Sequence, residues 1–270
     1  MDFLFWAIAG SFIFLWGSCF GSFLNVVVYR LPAGLSFVYP ASRCPKCGHG
    51  LTARENIPVF GWLMLLGKCR WCKNPISPRY PLVEALMGCL HLVVIWRFGL
   101  TLEAIAAATL LFWLVALALI DFDTFTLPNS LTQSGLILGL CFQLVLGFQA
   151  NDLKGAIAYF IGAVGAMVLG IWLLDGIGFL GTMALGQQAM GGGDPKLLAM
   201  IGVWLGWQNV LLTVGLSCAL GTLIIGAAMA IGKHSRKQHL PFGPFLALGA
   251  IISLFCGDRL IELYLNSFLS

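Results

Sequence analysis

Apolar residues fill most of this chain in long unbroken runs, and polar residues collect in the intervals between them. The first run, Phe3–Val28, is followed by a polar stretch, Tyr29–Pro81. Beyond it come the runs Leu82–Phe98, Thr101–Ile120, Ser130–Phe148, Gly155–Leu174, Lys196–Trp207, Val210–Ile231 and Gly243–Leu265. A helix needs about 20 apolar residues to cross a bilayer, and fewer when it is packed inside protein. The pattern therefore predicts about eight transmembrane helices. Lys196–Trp207 is short and glycine-flanked, and such interrupted spans are tolerated where they line a cavity enclosed by protein. Phe3–Val28 is too long for the core of a signal peptide. It also lacks a basic start and a small-residue cleavage site, so it reads as a retained helix.

Composition agrees. Of 270 residues, 59% are hydrophobic and 10% charged, and mean hydropathy is +0.92. Soluble domains carry about a quarter charged residues. The expected class is an all-α polytopic membrane protein with a small cytosolic domain.

Charge orients it. The Tyr29–Pro81 stretch holds Arg30, Arg43, Lys46, Arg54, Lys68, Arg70, Lys73 and Arg79 against a single acid, Glu55, and Lys233, Arg236 and Lys237 occupy a later loop. The alternate side has only Arg97, Lys154 and Arg259 near its loops or tail. The positive-inside rule then places 29–81 in the cytosol and Met1 outside. Counting spans puts Asp121–Asn129 and Asp175–Asp194 on the cytosolic side as well. The net charge of +4 reflects topology and contact with anionic membrane lipids, with no nucleic-acid partner expected.

Five of the nine cysteines lie in apolar runs and read as small core residues. The other four form two pairs, Cys44-Pro-Lys-Cys47 and Cys69-Arg-Trp-Cys72. This spacing suits a tetrahedral four-thiolate zinc site, each turn supplying two ligands. Cytosolic placement argues against disulfides. Four protein ligands leave no open position, so the zinc is expected to be structural, and His49 is not needed as a ligand.

Two acids stand at the ends of apolar runs. Asp194 follows Gly191-Gly192-Gly193 and precedes Pro195. Asp before Pro can simply cap a helix, yet three glycines are more than a cap needs and let another backbone approach closely. Asp121 ends the run Thr101–Ile120, where its charge opposes the helix dipole. Asp123, two residues on, points elsewhere and reads as solvated. If the ends carrying Asp121 and Asp194 meet, the two carboxyls can share one proton. The ionised member then serves as general base for water and the protonated one polarises a scissile carbonyl. The string Gly176-Ile-Gly178-Phe-Leu-Gly181 follows a membrane span rather than a strand, so it reads as a flexible glycine loop and not as a nucleotide site.

These blocks resemble the prepilin peptidases, or type IV leader peptidases, membrane aspartic proteases of the GxGD type. Gly192-Gly193-Asp194 with Lys196 matches the GxGD-x-K signature, and Leu119–Thr132 the block carrying the first catalytic acid, which falls on Asp121. Gly21–Pro32, Glu55–Pro58, the two cysteine pairs, Ile76–Leu86 and Leu240–Gly249 match further blocks in order. One departure is Asn129, where many members carry Asp.

The resemblance implies catalytic Asp121 and Asp194, a supporting loop of Gly192, Gly193 and Lys196, and zinc on Cys44, Cys47, Cys69 and Cys72. It implies a first helix over 1–28, a cytosolic zinc domain over 29–81 and a transmembrane protease domain over 82–270. The substrate would be a prepilin or pseudopilin in a bacterial inner membrane, cut after glycine at the cytosolic face. N-methylation with S-adenosylmethionine would follow. That second activity is placed beside Gly67, Lys68 and Glu84. Two other readings remain: a different GxGD intramembrane protease, or a transporter with a zinc-ribbon domain. Coupling acids of transporters usually lie mid-membrane, whereas both acids here sit at run ends.

Overall fold

The computed structural model describes residues 2–186, 190–231 and 240–268. Lys233, Arg236 and Lys237, used above for orientation, lie outside the described residues. The described chain is helical, with two isolated β-bridges and no sheet. It divides into two compact units, residues 1–108 and 109–270.

The first unit is built on α1 (Asp2–Arg30) and α3 (Arg79–Phe98), with the cysteine loop and a short helix, α2 (Phe60–Met64), between them. Glycines let the two long helices close on each other. A Cβ on Gly21 would stand 2.7 Å from the Glu84 Cα, and one on Gly88 2.6 Å from the Ser18 hydroxyl. Small residues at such contacts are what membrane helix pairs use in place of a hydrophobic driving force. Near one end of the pair the Asn25 amide donates to the Tyr80 carbonyl at 3.2 Å.

α4 (Leu102–Thr124) enters the second unit at Thr109, followed by α5 (Asn129–Leu185), α6 (Asp194–Leu205), α7 (Trp207–Ala230) and α8 (Gly243–Phe268). Among the described residues six helices are long and apolar enough to cross a membrane. One of them, α5, has 57 residues and is broken at Asn151 and Asp152. There it folds back on itself: a Cβ on Gly147 would lie 2.5 Å from the Gly155 carbonyl oxygen. The two limbs correspond to the runs Ser130–Phe148 and Gly155–Leu174.

The second limb runs further than expected. Residues 175–185 are helical, so the glycine string 176–181 is not a loop. Each glycine costs about 1 kcal/mol in helix propensity. In an apolar surrounding an unpaired backbone amide costs more, and the helix pairs it.

α6 has 12 residues and spans about 18 Å, well short of the roughly 30 Å hydrocarbon core. It is enclosed by protein, with Leu197–Val203 all buried. Glycines of the α5 hairpin admit it: a Cβ on Gly170 would stand 2.9 Å from the Leu198 carbonyl oxygen. The Gln143 amide donates to the carbonyls of Val203 (2.8 Å) and Trp204 (3.1 Å). Helix-end carbonyls that a short span would leave bare are thereby satisfied. The Trp204 indole donates to the Gly135 carbonyl at 2.9 Å.

Candidate active site

The last turn of α4 carries Asp121, which is only 5% exposed. The helix stops at Thr124, and Phe125 turns the chain with a positive φ of 54° while its N–H bonds the Asp121 carbonyl. Pro128, extended at φ −62° and ψ 124°, starts α5. Asp123, one residue inside the end of α4, is exposed.

Asp194 opens α6 and is 6% exposed. The residue at the cap position is Gly193, and no side-chain cap bond forms. Asp194 therefore sits inside the first turn and does not close it. Its carboxyl takes a bond from the Gly191 backbone. Burial pushes its pKa up to about 7, and the Asp121 carboxylate beside it adds to the rise. Two buried carboxyls this close favour sharing one proton.

Two contacts bring the acid-bearing segments together. Leu127 packs on Gly193, where a Cβ would come within 2.9 Å of the leucine Cβ. The Lys196 ammonium donates to the Asn129 side-chain oxygen at 2.8 Å. Gly192 is exposed and has open space where a Cβ would stand.

A third segment completes the site. The Gly243 N–H, at the start of α8, donates to Asp121 Oδ2 at 3.0 Å, and a Cβ on Gly243 would lie 2.5 Å from that same oxygen. Sequence reasoning matched the Leu240–Gly249 block but gave Gly243 no role. The available signal was Gly243-Pro244 opening an apolar run, since a proline at the first helical position marks a helix start.

The four paired cysteines converge in the first unit, their sulfurs all within 4.8 Å of one another. Cys44 and Cys72 are 3.8 Å apart and Cys47 and Cys69 4.0 Å. Tetrahedral Zn–S bonds of about 2.3 Å place sulfurs about 3.8 Å apart, so the cluster fits zinc. The two turns repeat one design. Cys44 N–H bonds His49 O and Cys69 N–H bonds Asn74 O. Gly48 and Lys73 hold equivalent positive-φ positions at 72° and 58°, and bridges Arg43↔Gly50 and Lys68↔Pro75 close each turn. The Asn74 backbone and side-chain amide pull the Cys72 thiol down to about 6, while burial and the neighbouring sulfurs push Cys47 up to about 11, so the thiolate a metal needs is favoured at Cys72. His49 rests on the Trp71 ring, centroids 4.2 Å apart.

Gly67 takes a positive φ of 69° against the Trp62 ring, and Lys68 is exposed beside Cys69. Glu84 is buried in α3 and its Oε2 accepts the Val59 N–H at 2.6 Å.

A bundle of apolar helices with two buried aspartates meeting at helix ends, plus a four-cysteine cluster in a loop between spans, defines a multi-pass membrane protein of the paired-carboxyl type. Comparison with known proteins supplies the family. Residues 15–98 match the bacterial Peptidase A24 N-terminal domain and residues 108–226 the type IV leader peptidase family. Three similar proteins carry the name prepilin leader peptidase/N-methyltransferase. That of Aeromonas hydrophila is 38% identical over 283 residues, covering 96% of this chain and 94% of the relative. That of Stutzerimonas stutzeri is 38% identical, covering 93% and 91%. That of Pseudomonas putida is 38% identical, covering 90% and 89%. The chain belongs to the type IV leader peptidase family. No solved structure matches it.

Proposed function

We propose that this protein is a prepilin leader peptidase of the bacterial inner membrane that cleaves prepilins or pseudopilins after glycine at the cytosolic face and then N-methylates the new terminus. The observation that carries the reading is the meeting of Asp121 and Asp194, both buried, at the ends of α4 and α6. The Gly243 N–H bonded to Asp121 Oδ2 favours the ionised form of that carboxyl, so we assign the shared proton to Asp194, which burial and the Asp121 charge push up, and the role of base to Asp121. Asp121 removes a proton from water as the water oxygen attacks the scissile carbonyl. Asp194 gives its proton to the carbonyl oxygen. Collapse of the tetrahedral species returns the proton on Asp121 to the leaving amine and that on the hydroxyl to Asp194. The Gly243 N–H and the Lys196–Asn129 bond hold the two carboxyls in register for this exchange.

Zinc on Cys44, Cys47, Cys69 and Cys72 supplies folding of the loop and takes no part in cleavage. S-adenosylmethionine supplies the methyl group. We place its site on the first unit beside Gly67 and exposed Lys68, whose cation suits the donor's carboxylate. Glu84, buried and bonded to Val59, is engaged elsewhere.

The test is mass spectrometry of a prepilin incubated with purified enzyme, with and without S-adenosylmethionine. Asp121→Asn and Asp194→Asn should each lower cleavage by on the order of 10⁴-fold, and the double variant little more, because members of one catalytic unit are not additive. Exposed Asp123→Asn keeps most activity. Since the protonated Asp194 is the acid, the rate should fall as pH rises through about 7. Robust cleavage by Asp194→Asn, or a rate flat across that range, overturns the assignment.

A further inference from the structure

The cysteine loop contains one segment unlike the rest. Residues 57–68, between the two knuckles, read IPVFGWLMLLGK. Ile57, Phe60, Leu63, Met64 and Leu66 are exposed, Met64 at 64% and Leu66 at 83%. In a loop facing water so many bare apolar side chains in a dozen residues would be a liability.

The contacts of this segment place it alongside membrane-spanning helix. The Val59 N–H is held by Glu84, the sixth residue of α3 and so roughly 8 Å along that helix from Arg79. Arg79–Phe98 is itself of spanning length and hydropathy. Phe60 borders a hollow with Phe14 and Leu15 of α1 and Leu92 of α3, and Leu92 lies about 12 Å further along α3. The exposed face of α2 thus continues the outer surface of the α1–α3 pair.

The backbone gives an independent sign. Inside a bilayer every amide must find a partner in the protein. The N–H groups of Val59, Phe60, Gly61, Leu63 and Leu65–Lys68 all donate within the chain. The Trp62 indole donates to Ile76 O at 3.0 Å. The segment accepts strain to reach that state. Val59 has φ 64° and ψ −54° with Phe60 N–H on Pro58 O at 2.7 Å, a γ-turn of the rare hand centred on a β-branched residue. Leu66 has φ 50°.

We infer that residues 57–66 are an interfacial insertion: α2 and the turn after it lie in the acyl region of the leaflet beside the α1–α3 pair. Exposed Arg54 and Lys68 at its flanks meet anionic headgroups, and Arg70 beside them pairs with Glu55 at 3.9 Å. Glu84 is the anchor that fixes the insertion's depth. Lipid is the occupant because the surface is continuous with that of a spanning helix pair and is bordered by cations at the level where headgroups stand.

The experiment uses the full-length enzyme in nanodiscs of phosphatidylcholine and phosphatidylglycerol. A fluorescent amino acid is introduced at Met64 or, separately, at Leu66, with Leu223 on the exposed face of α7 as the lipid-facing reference. Both loop positions are already exposed, so the probe displaces no packed neighbour. Brominated acyl chains should quench the probe at both loop positions at least half as strongly as at Leu223, and aqueous iodide should quench it weakly. Iodide quenching at both positions with lipid quenching below half that of Leu223 overturns the inference. Glu84→Ala should lower the lipid quenching at Met64 at least twofold. Unchanged quenching there overturns the anchoring role.

Discussion

At the residue scale the site separates acids that look alike in sequence. Asp121 and Asp123 lie two positions apart, yet one is buried against Gly243 and the other faces out. A helix turns about 100° per residue, so two positions carry a side chain to the opposite face. Gly243 belongs to the site although it carries no side chain. Gly243→Ala puts a methyl group 2.5 Å from the Asp121 oxygen, which must move. A displacement near 1 Å at reacting groups costs on the order of 100-fold. Cleavage by Gly243→Ala should fall by about that factor at unchanged zinc content, and the change should add nothing in an Asp121→Asn background. Kinetics on a prepilin peptide checks this, and additive losses would show that Gly243 acts elsewhere.

At the scale of elements, the cysteine knuckles are two copies of one turn that bury little between them. Cys44 and Cys69 are the buried ligands, Cys47 is exposed and Cys72 intermediate. With so little apolar packing the metal supplies the folding energy, about 10–16 kcal/mol for sites of this kind. Cys69→Ser with Cys72→Ser should lose about one zinc per chain and open residues 41–76 to protease, measured by metal analysis and limited proteolysis. Full zinc occupancy in that variant would show that other residues bind it. α6 shows the opposite balance. It is too short to cross alone, and its stability comes from enclosure by the α5 hairpin and from the Gln143 amide at its end.

At the scale of the whole molecule, the start of α8 at the aspartate pair bears on the face its far end reaches. α8 starts at the Asp121 carboxylate and runs 26 residues, about 39 Å. That is enough to carry its far end through the hydrocarbon core. A reporter fused after Ser270 should therefore report the face opposite the aspartate pair, and one after Ser235 the same face as the pair. Alkaline phosphatase activity outside and green fluorescence inside give the two readings. The same reading from both fusions would mean α8 does not cross.

The sequence by itself determined the helical membrane class, because apolar runs of spanning length admit little else. It determined the four sulfurs as one cluster, because ligand spacing within a tight turn is local geometry. The acids Asp121 and Asp194 stood out because a carboxyl at the edge of an apolar run is costly wherever it is put. Tertiary structure decided the rest. That the two acids meet and that Gly243 closes on one of them depend on glycines facing particular side chains, and that α5 folds back around α6 depends on glycines facing particular backbones, across long stretches of chain. No periodicity records which glycine faces which helix. The helical state of residues 175–185 also waited on the structure, because a glycine-rich string reads as a loop until the cost of unpaired amides in an apolar surrounding is weighed against it.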